Sequence, residues 1–170
     1  MRVTTRMAQS KRTRLAALSL GLTSALALSM AGPASAQQER LATVEPYVIA
    51  GNPTCGDLAQ NGFDPFVGSE DVDPPVDATD IPVESTDGTL TGTLDVDFSA
   101  NLLTLNSFNF EGELVAGAVI VKGGNNGNVY DYRATGGIAA DENLVAPLNN
   151  PGNQPQISHV TFCFYPANGS

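Results

Sequence analysis

Thr89-Leu90-Thr91-Gly92-Thr93-Leu94-Asp95-Val96-Asp97-Phe98-Ser99 is the stretch whose reading decides the fold. Leu90, Leu94, Val96 and Phe98 fall on one side, with Gly92 among them. Thr89, Thr91, Thr93, Asp95, Asp97 and Ser99 fall on the other. A period of two is that of a strand with one buried face and one wet face. Thr86-Asp87-Gly88 before it is a hairpin-type turn. Ser99-Ala100-Asn101 after it leads into a second β-rich run, Leu102 to Phe110. Its alternation breaks at Asn106-Ser107, where a bulge fits.

Further out, the same kind of signal repeats. Leu114 to Val121 is apolar throughout, as expected of a central strand covered on both faces. Gly123-Gly124-Asn125-Asn126-Gly127 can take the positive φ angles of a tight hairpin, and Val129 to Arg133 returns as a strand. Tyr47-Val48-Ile49 and Ile157 to Tyr165 make the first and last β-runs. Asn61 to Pro82 holds Pro65, Pro74, Pro75 and Pro82 among acidic residues and reads as a loop or irregular edge. Ala134 to Gln156 also reads as loop. Short helical turns fit Asp57 to Gln60 and Asp141 to Val145, and no longer helical period follows the N-terminal stretch. The expected fold is all-β: an antiparallel β-sandwich of seven to eight strands, spanning residues 45–166 as one domain.

The N-terminal stretch has a different character. Arg2, Arg6, Lys11, Arg12 and Arg14 precede an apolar, small-residue run from Leu15 to Met30, and Ala34-Ser35-Ala36 ends it. That order predicts a secretory signal peptide, residues 1–36, with an uncut anchor as the alternative. Without a consecutive arginine pair ahead of the apolar run, the general secretory route fits better than the twin-arginine one. Residues 37–44 would then be a flexible lead-in and 167–170 a short tail. The expected location is secreted or extracellular, at a cell surface or in a periplasm, with no membrane insertion after cleavage.

Cleavage would leave Arg40, Lys122 and Arg133 against all 18 acidic residues, a formal net of −15. So acidic a surface excludes nucleic acid as a partner, because binding there needs clustered Lys/Arg to displace counterions. It suits solubility in a salty medium, or a cation. Cys55 and Cys163 are the only cysteines. In an oxidising compartment a lone pair is most simply a disulfide. Two cysteines and one histidine do not fill a tetrahedral metal shell.

The chemistry-bearing candidates are few. His159, the only histidine, follows Ser158, but neighbours in a strand point to opposite faces, which predicts no nucleophile–base pair and a histidine bonded at the sheet rim. Asp95 and Asp97 share a strand face with carboxyls about 6–7 Å apart, a spacing that overlaps glycoside hydrolysis. That face is Thr/Asp/Ser-lined and wet, whereas the acid of such a pair needs an apolar pocket. The Thr89, Thr91, Thr93 row is explained by β-propensity. Glu70, Asp71, Asp73, Asp77 and Asp80 form the candidate calcium segment, although their spacing departs from the helix-loop-helix pattern. Lys122, Asn125 and Asn126, with Asn128, Tyr130 and Tyr132 following, make the candidate ligand-binding loop, since binding on β-frameworks concentrates in loops.

Three strings carry a resemblance: Asn52-Pro53-Thr54-Cys55-Gly56-Asp57-Leu58; Val119-Ile120-Val121-Lys122-Gly123-Gly124 with Asn128, Tyr130 and Tyr132; and Ile157-Ser158-His159-Val160-Thr161-Phe162-Cys163. Together they resemble an uncharacterised secreted β-domain of bacterial extracellular and cell-surface proteins. The resemblance spans about residues 50–165. It implies the compartment, the fold and the disulfide, and no mechanism. The expectation is a non-enzymatic extracellular domain that acts by binding an extracellular ligand or cell-surface component, or by structural display in a matrix, without a cofactor other than calcium. The alternatives are a small glycosidase-like hydrolase using paired carboxylates and a calcium-dependent adhesion module.

Overall fold

A computed structural model describes residues 42–150 and 152–167. The stretch read as a signal peptide lies outside the described residues, as do 37–41 of the lead-in and 168–170 of the tail. In chain order the elements are β1 (Tyr47–Ala50), α1 (Cys55–Gln60), β2 (Gly68–Val72), β3 (Ala78–Glu84), β4 (Thr91–Phe98), β5 (Thr104–Gly112), β6 (Leu114–Gly123), β7 (Asn126–Asp131), a 3-10 turn at Arg133–Thr135, β8 (Ala140–Val145) and β9 (His159–Pro166). They form two antiparallel sheets, ordered β1-β7-β6-β9-β2 and β3-β4-β5-β8.

The alternating stretch becomes β4, with Leu94, Val96 and Phe98 buried while Thr91 and Asp97 stay exposed. The expected bulge falls in β5. Asp97 pairs Ser107 and Phe98 pairs Leu105, so Asn106 is the extra residue. The β6–β7 hairpin closes on the Gly123–Asn126 pair, and Gly124 takes φ 67° in the turn between them. Glycine adopts that left-handed angle without a Cβ clash.

The facing sides of the sheets share one core, in which Phe162 meets Phe108 and Phe110 edge-on with centroids 5.3 and 5.8 Å apart. A second, smaller cluster lies on the outer face of the five-stranded sheet: Leu58 of α1 and Phe63 cover Ala118, Ile120, Val129 and Cys163. Strand β6 is thus apolar on both sides because α1 roofs one of them. Thr54 caps α1: its Oγ1 accepts from Asp57 N, while the Asp57 carboxylate accepts from Thr54 N at 2.9 Å. A helix of six residues has little stability of its own, so Leu58 and the Cys55–Cys163 disulfide hold it in place.

Nine strands among the described residues exceed the seven or eight expected. The acidic, proline-bearing segment read as loop supplies β2 and β3, both edge strands, where Pro82 is tolerated because an edge leaves N–H positions unpaired. The Asp141 to Val145 stretch is strand β8 rather than a helical turn. Its core face carries Asp141 as well as Leu144, so a charged residue interrupts the apolar alternation that would have marked it. The end of the lead-in is tied down: Thr43 N donates to both Asp141 carboxylate oxygens at 3.0 Å, and Thr43 Oγ1 donates to one at 2.8 Å.

Candidate functional site

The β2–β9 register sets Ser69 opposite Cys163 and Asp71 opposite Thr161. Cys163 points outward to Cys55, so Ser69, Asp71, Thr161 and, two residues earlier on β9, His159 share that outer face. The Asn52–Gly56 segment, pinned by the disulfide and the α1 cap, walls it. The result is a cleft of about 230 Å³ lined by Asn52, Thr54, Ser69, Asp71, His159 and Thr161 beside the disulfide. Thr161 Oγ1 donates to Asp71 Oδ1, which orients the carboxylate. Hydroxyls that donate and accept, an acceptor-only carboxylate, an amide and an imidazole together match a ligand rich in hydroxyl or amide groups.

His159 is half-buried at the start of β9, and its Nδ1 lies 3.4 Å from Ser158 Oγ. The expectation that the two would point apart is corrected, because β9 begins at His159 and strand alternation does not extend to Ser158. The contact is exposed and loose, and Ser158 Oγ also lies 3.3 Å from Lys122 O. Among the described residues no hydrogen bond links His159 to a carboxylate that would orient it as a base.

The proposed ligand loop divides. Asn125 is exposed and Asn126 half-buried at the hairpin tip. Asn128, Tyr130 and Tyr132 instead point between the sheets, a correction with a simple cause: alternate residues of β7, and Tyr132 just past its end, face the core. Asn128 Nδ2 and Tyr130 OH donate to Val145 O at 2.8 and 3.1 Å, and Val145 N donates back to Tyr130 OH at 2.8 Å. Tyr132 OH donates to Asp141 Oδ2 at 2.8 Å, and burial followed by the Asp141 carboxylate pushes its pKa far up. These residues bind β8 to β7.

Lys122 is likewise withdrawn from any ligand, only 1% exposed. Its stem crosses the outer face beside Gly127, and Nζ donates to Gly51 O. Burial lowers its pKa. The folded chain therefore holds this proton less tightly than the unfolded chain. The cost of burying the ammonium is fully present below the folded pKa and fades as pH rises toward the ordinary lysine value, so stability contributed here increases with pH in that window. We expect Lys122→Met, which keeps the packed stem, to be neutral or stabilising by about 1–2 kcal/mol at pH 7, since an apolar replacement of a buried charge commonly is. The gain should shrink above about pH 10. Urea unfolding at both pH values checks this; a loss at pH 7 would make the Gly51 contact a net stabiliser.

The acidic segment does not converge. Glu70 and Asp71 are neighbours on β2 and so face opposite ways. Asp77 Oδ1 accepts from Phe98 N at 2.7 Å, and Asp80, exposed on β3 with Asp73 exposed before it, donates its own N–H to Asp95 Oδ1 at 2.8 Å. Among the described residues no three His, Cys, Asp or Glu side chains are placed to hold a metal ion. The expected result is a melting temperature unchanged by millimolar calcium, because only a ligand that favours the native state raises it. A rise reversed by chelator would return calcium to this segment.

Asp95 and Asp97 are each engaged by a neighbour: Asp97 Oδ2 accepts from Asn106 Nδ2 at 3.0 Å, and Asp95 accepts from Asp80 as above. A different carboxylate pair lines a cavity. Where β2 faces β3, Glu70 and Glu84 border a cleft of about 540 Å³ with Pro82, Val83 and Thr91. Glu70 is half-buried, and burial, then the neighbouring Asp71, raises its pKa. A third cleft, about 460 Å³, includes Asp87, but Ser85 and Thr89 hydrogen bonds hold that carboxylate down at about 2 as part of the predicted turn.

The sequence pointed to Cys55, Cys163, Asp71 and Glu70 but missed Asn52, Ser69, Thr161 and Glu84. The odd-numbered polar series His159, Thr161, Cys163 on β9 was the available signal for part of this set. Nothing in the sequence shows that β2 pairs with β9. No family model, curated protein or solved structure matches the chain.

Proposed function

We propose that the protein is a secreted, non-enzymatic β-sandwich domain that acts by binding an extracellular ligand at a cell surface or in a matrix. The cleft beside the disulfide carries this reading. Its polar groups are many and varied, its wall is covalently anchored, and its one histidine lacks an orienting carboxylate. Such a site holds a carbohydrate or peptide through hydrogen bonds without activating a nucleophile. The resemblance to secreted β-domains agrees with it. A glycan and peptide array probed with the folded protein tests the reading. We expect ligands that are retained unchanged and are lost from Asp71→Asn and His159→Ala variants whose melting temperatures stay at the parent value. Ligands unaffected by either substitution would place binding elsewhere.

One observation favours a second reading, a small hydrolase. In the β2/β3 cleft Glu70 is desolvated while Glu84 is exposed, the asymmetry that separates an acid from a nucleophile or base in glycoside hydrolysis. Hydrolysis of array ligands that disappears in Glu70→Gln and Glu84→Gln would select this reading over the first.

A further inference from the structure

The four sheet edges are not alike. Open edges invite pairing with another chain, and proteins guard them with charge, proline or bulges. Strand β2 carries Glu70 and Asp71, and β3 carries Asp80, Glu84, Pro82 and a register shift between Ala78 and Ile81. Strand β8 carries Asp141 and Glu142, and the Val145 N–H and carbonyl are already taken by Tyr130 and Asn128. Strand β1, although short at four residues and preceded by Pro46, carries no charge, proline or bulge within it. It reads Tyr-Val-Ile-Ala, and on one side it pairs with β7 while its other side has no strand partner among the described residues. Val48 is 59% exposed and Tyr47 38%. In a chain with 18 acidic residues, an edge without charge stands out.

The surroundings of β1 indicate what fits it. Val44, Glu45 and Pro46, which run directly into β1, line a crevice of about 280 Å³ together with Tyr130, Asn143 and Val145. The lining is largely apolar and Glu45, at its border, is exposed. An apolar side chain can fill such a surface, while a lysine or arginine stem passes its border with the charged head at the carboxylate. A second copy carries the same excess of acidic residues, and the repulsion between two acidic chains disfavours self-pairing.

We infer that β1 is an acceptor edge for an extended segment of another protein that alternates apolar and basic residues. Its backbone extends the five-stranded sheet past β1; because alternate side chains take opposite faces, its apolar residues cover Val48 and the crevice on the core side, and its basic residues lie on the opposite face with one within reach of Glu45 at the crevice border. Strand addition of this kind draws affinity from main-chain hydrogen bonds and selectivity from side-chain pockets. The site is separate from the cleft beside the disulfide.

Fluorescence anisotropy with labelled hexapeptides tests the inference on the full chain. One peptide alternates valine with lysine, one valine with threonine and one valine with glutamate. The lysine peptide should bind best and the glutamate peptide should not bind. Val48→Lys, which places charge on the edge, should weaken the lysine peptide by about tenfold or more, and Ala50→Lys on the same edge should repeat the effect. Glu45→Gln should weaken the lysine peptide and leave the threonine peptide unchanged. Equal binding of the glutamate peptide, indifference to Val48→Lys and Ala50→Lys, or no binding at all would overturn the proposal. So would a dimer, seen by sedimentation, that Val48→Lys dissociates, because the edge would then belong to a second copy.

Discussion

Replacing Cys55 and Cys163 with serine is expected to lower unfolding free energy by about 4–5 kcal/mol. The bond joins residues 108 apart in sequence, so the reduced unfolded chain regains a long loop's worth of freedom. A local consequence adds to the global one. Strand β9 is interior, held by β6 and β2, but α1 has six residues and touches the sheet through Leu58 and the disulfide, with Phe63 just after it packing on the same face. Without the bond, the Asn52–Phe63 stretch should lose amide-exchange protection before the sheets do, and the polar cleft should lose its wall. Urea unfolding of the serine variant against the parent gives the first number, and hydrogen exchange gives the second. A difference below about 1 kcal/mol would mean that packing of Leu58 and Phe63 alone fixes the helix.

Phe162→Ala should cost about 3–5 kcal/mol. The ring is fully buried at the centre of the inter-sheet core, where it meets Phe108 and Phe110 edge-on, and Val119 lies opposite it across the β6–β9 pair. Truncation removes apolar area and two ring–ring contacts, and neighbours fixed in two sheets cannot collapse to fill the space. Phe162→Leu, which refills most of the volume, should recover more than half of the loss. Thermal and urea unfolding measure both variants. Equal losses for Ala and Leu would show that ring geometry, not volume, dominates; a small loss for Ala would place Phe162 in a site able to relax.

Residues 89–99, 114–121 and 123–127 were legible because each carries its own pattern: alternation, an unbroken apolar run, or turn glycines whose conformational need is local. The bulge at Asn106 was legible for the same reason. Strands β2, β3 and β8 were not, since their alternation is broken by proline or charge that only an edge position or a bonding partner makes tolerable. Asp141 is the sharpest case. In sequence it marks a polar loop, and in the fold it is a buried acceptor for Thr43 and Tyr132.

The candidate sites divide along the same line. Sequence alone determined an acidic chain of short antiparallel strands with one cysteine pair, because composition and period two are properties of neighbouring residues. Which faces of Lys122, Asn128, Tyr130 and Tyr132 meet solvent was settled only when β8 and the Gly51–Pro53 loop packed over them. The cleft of Asn52, Ser69, Asp71, His159 and Thr161 likewise exists only through the β2–β9 register and the disulfide. Side-chain period is set within a strand, but burial and convergence are set by which distant strands pair, and that choice belongs to the tertiary structure.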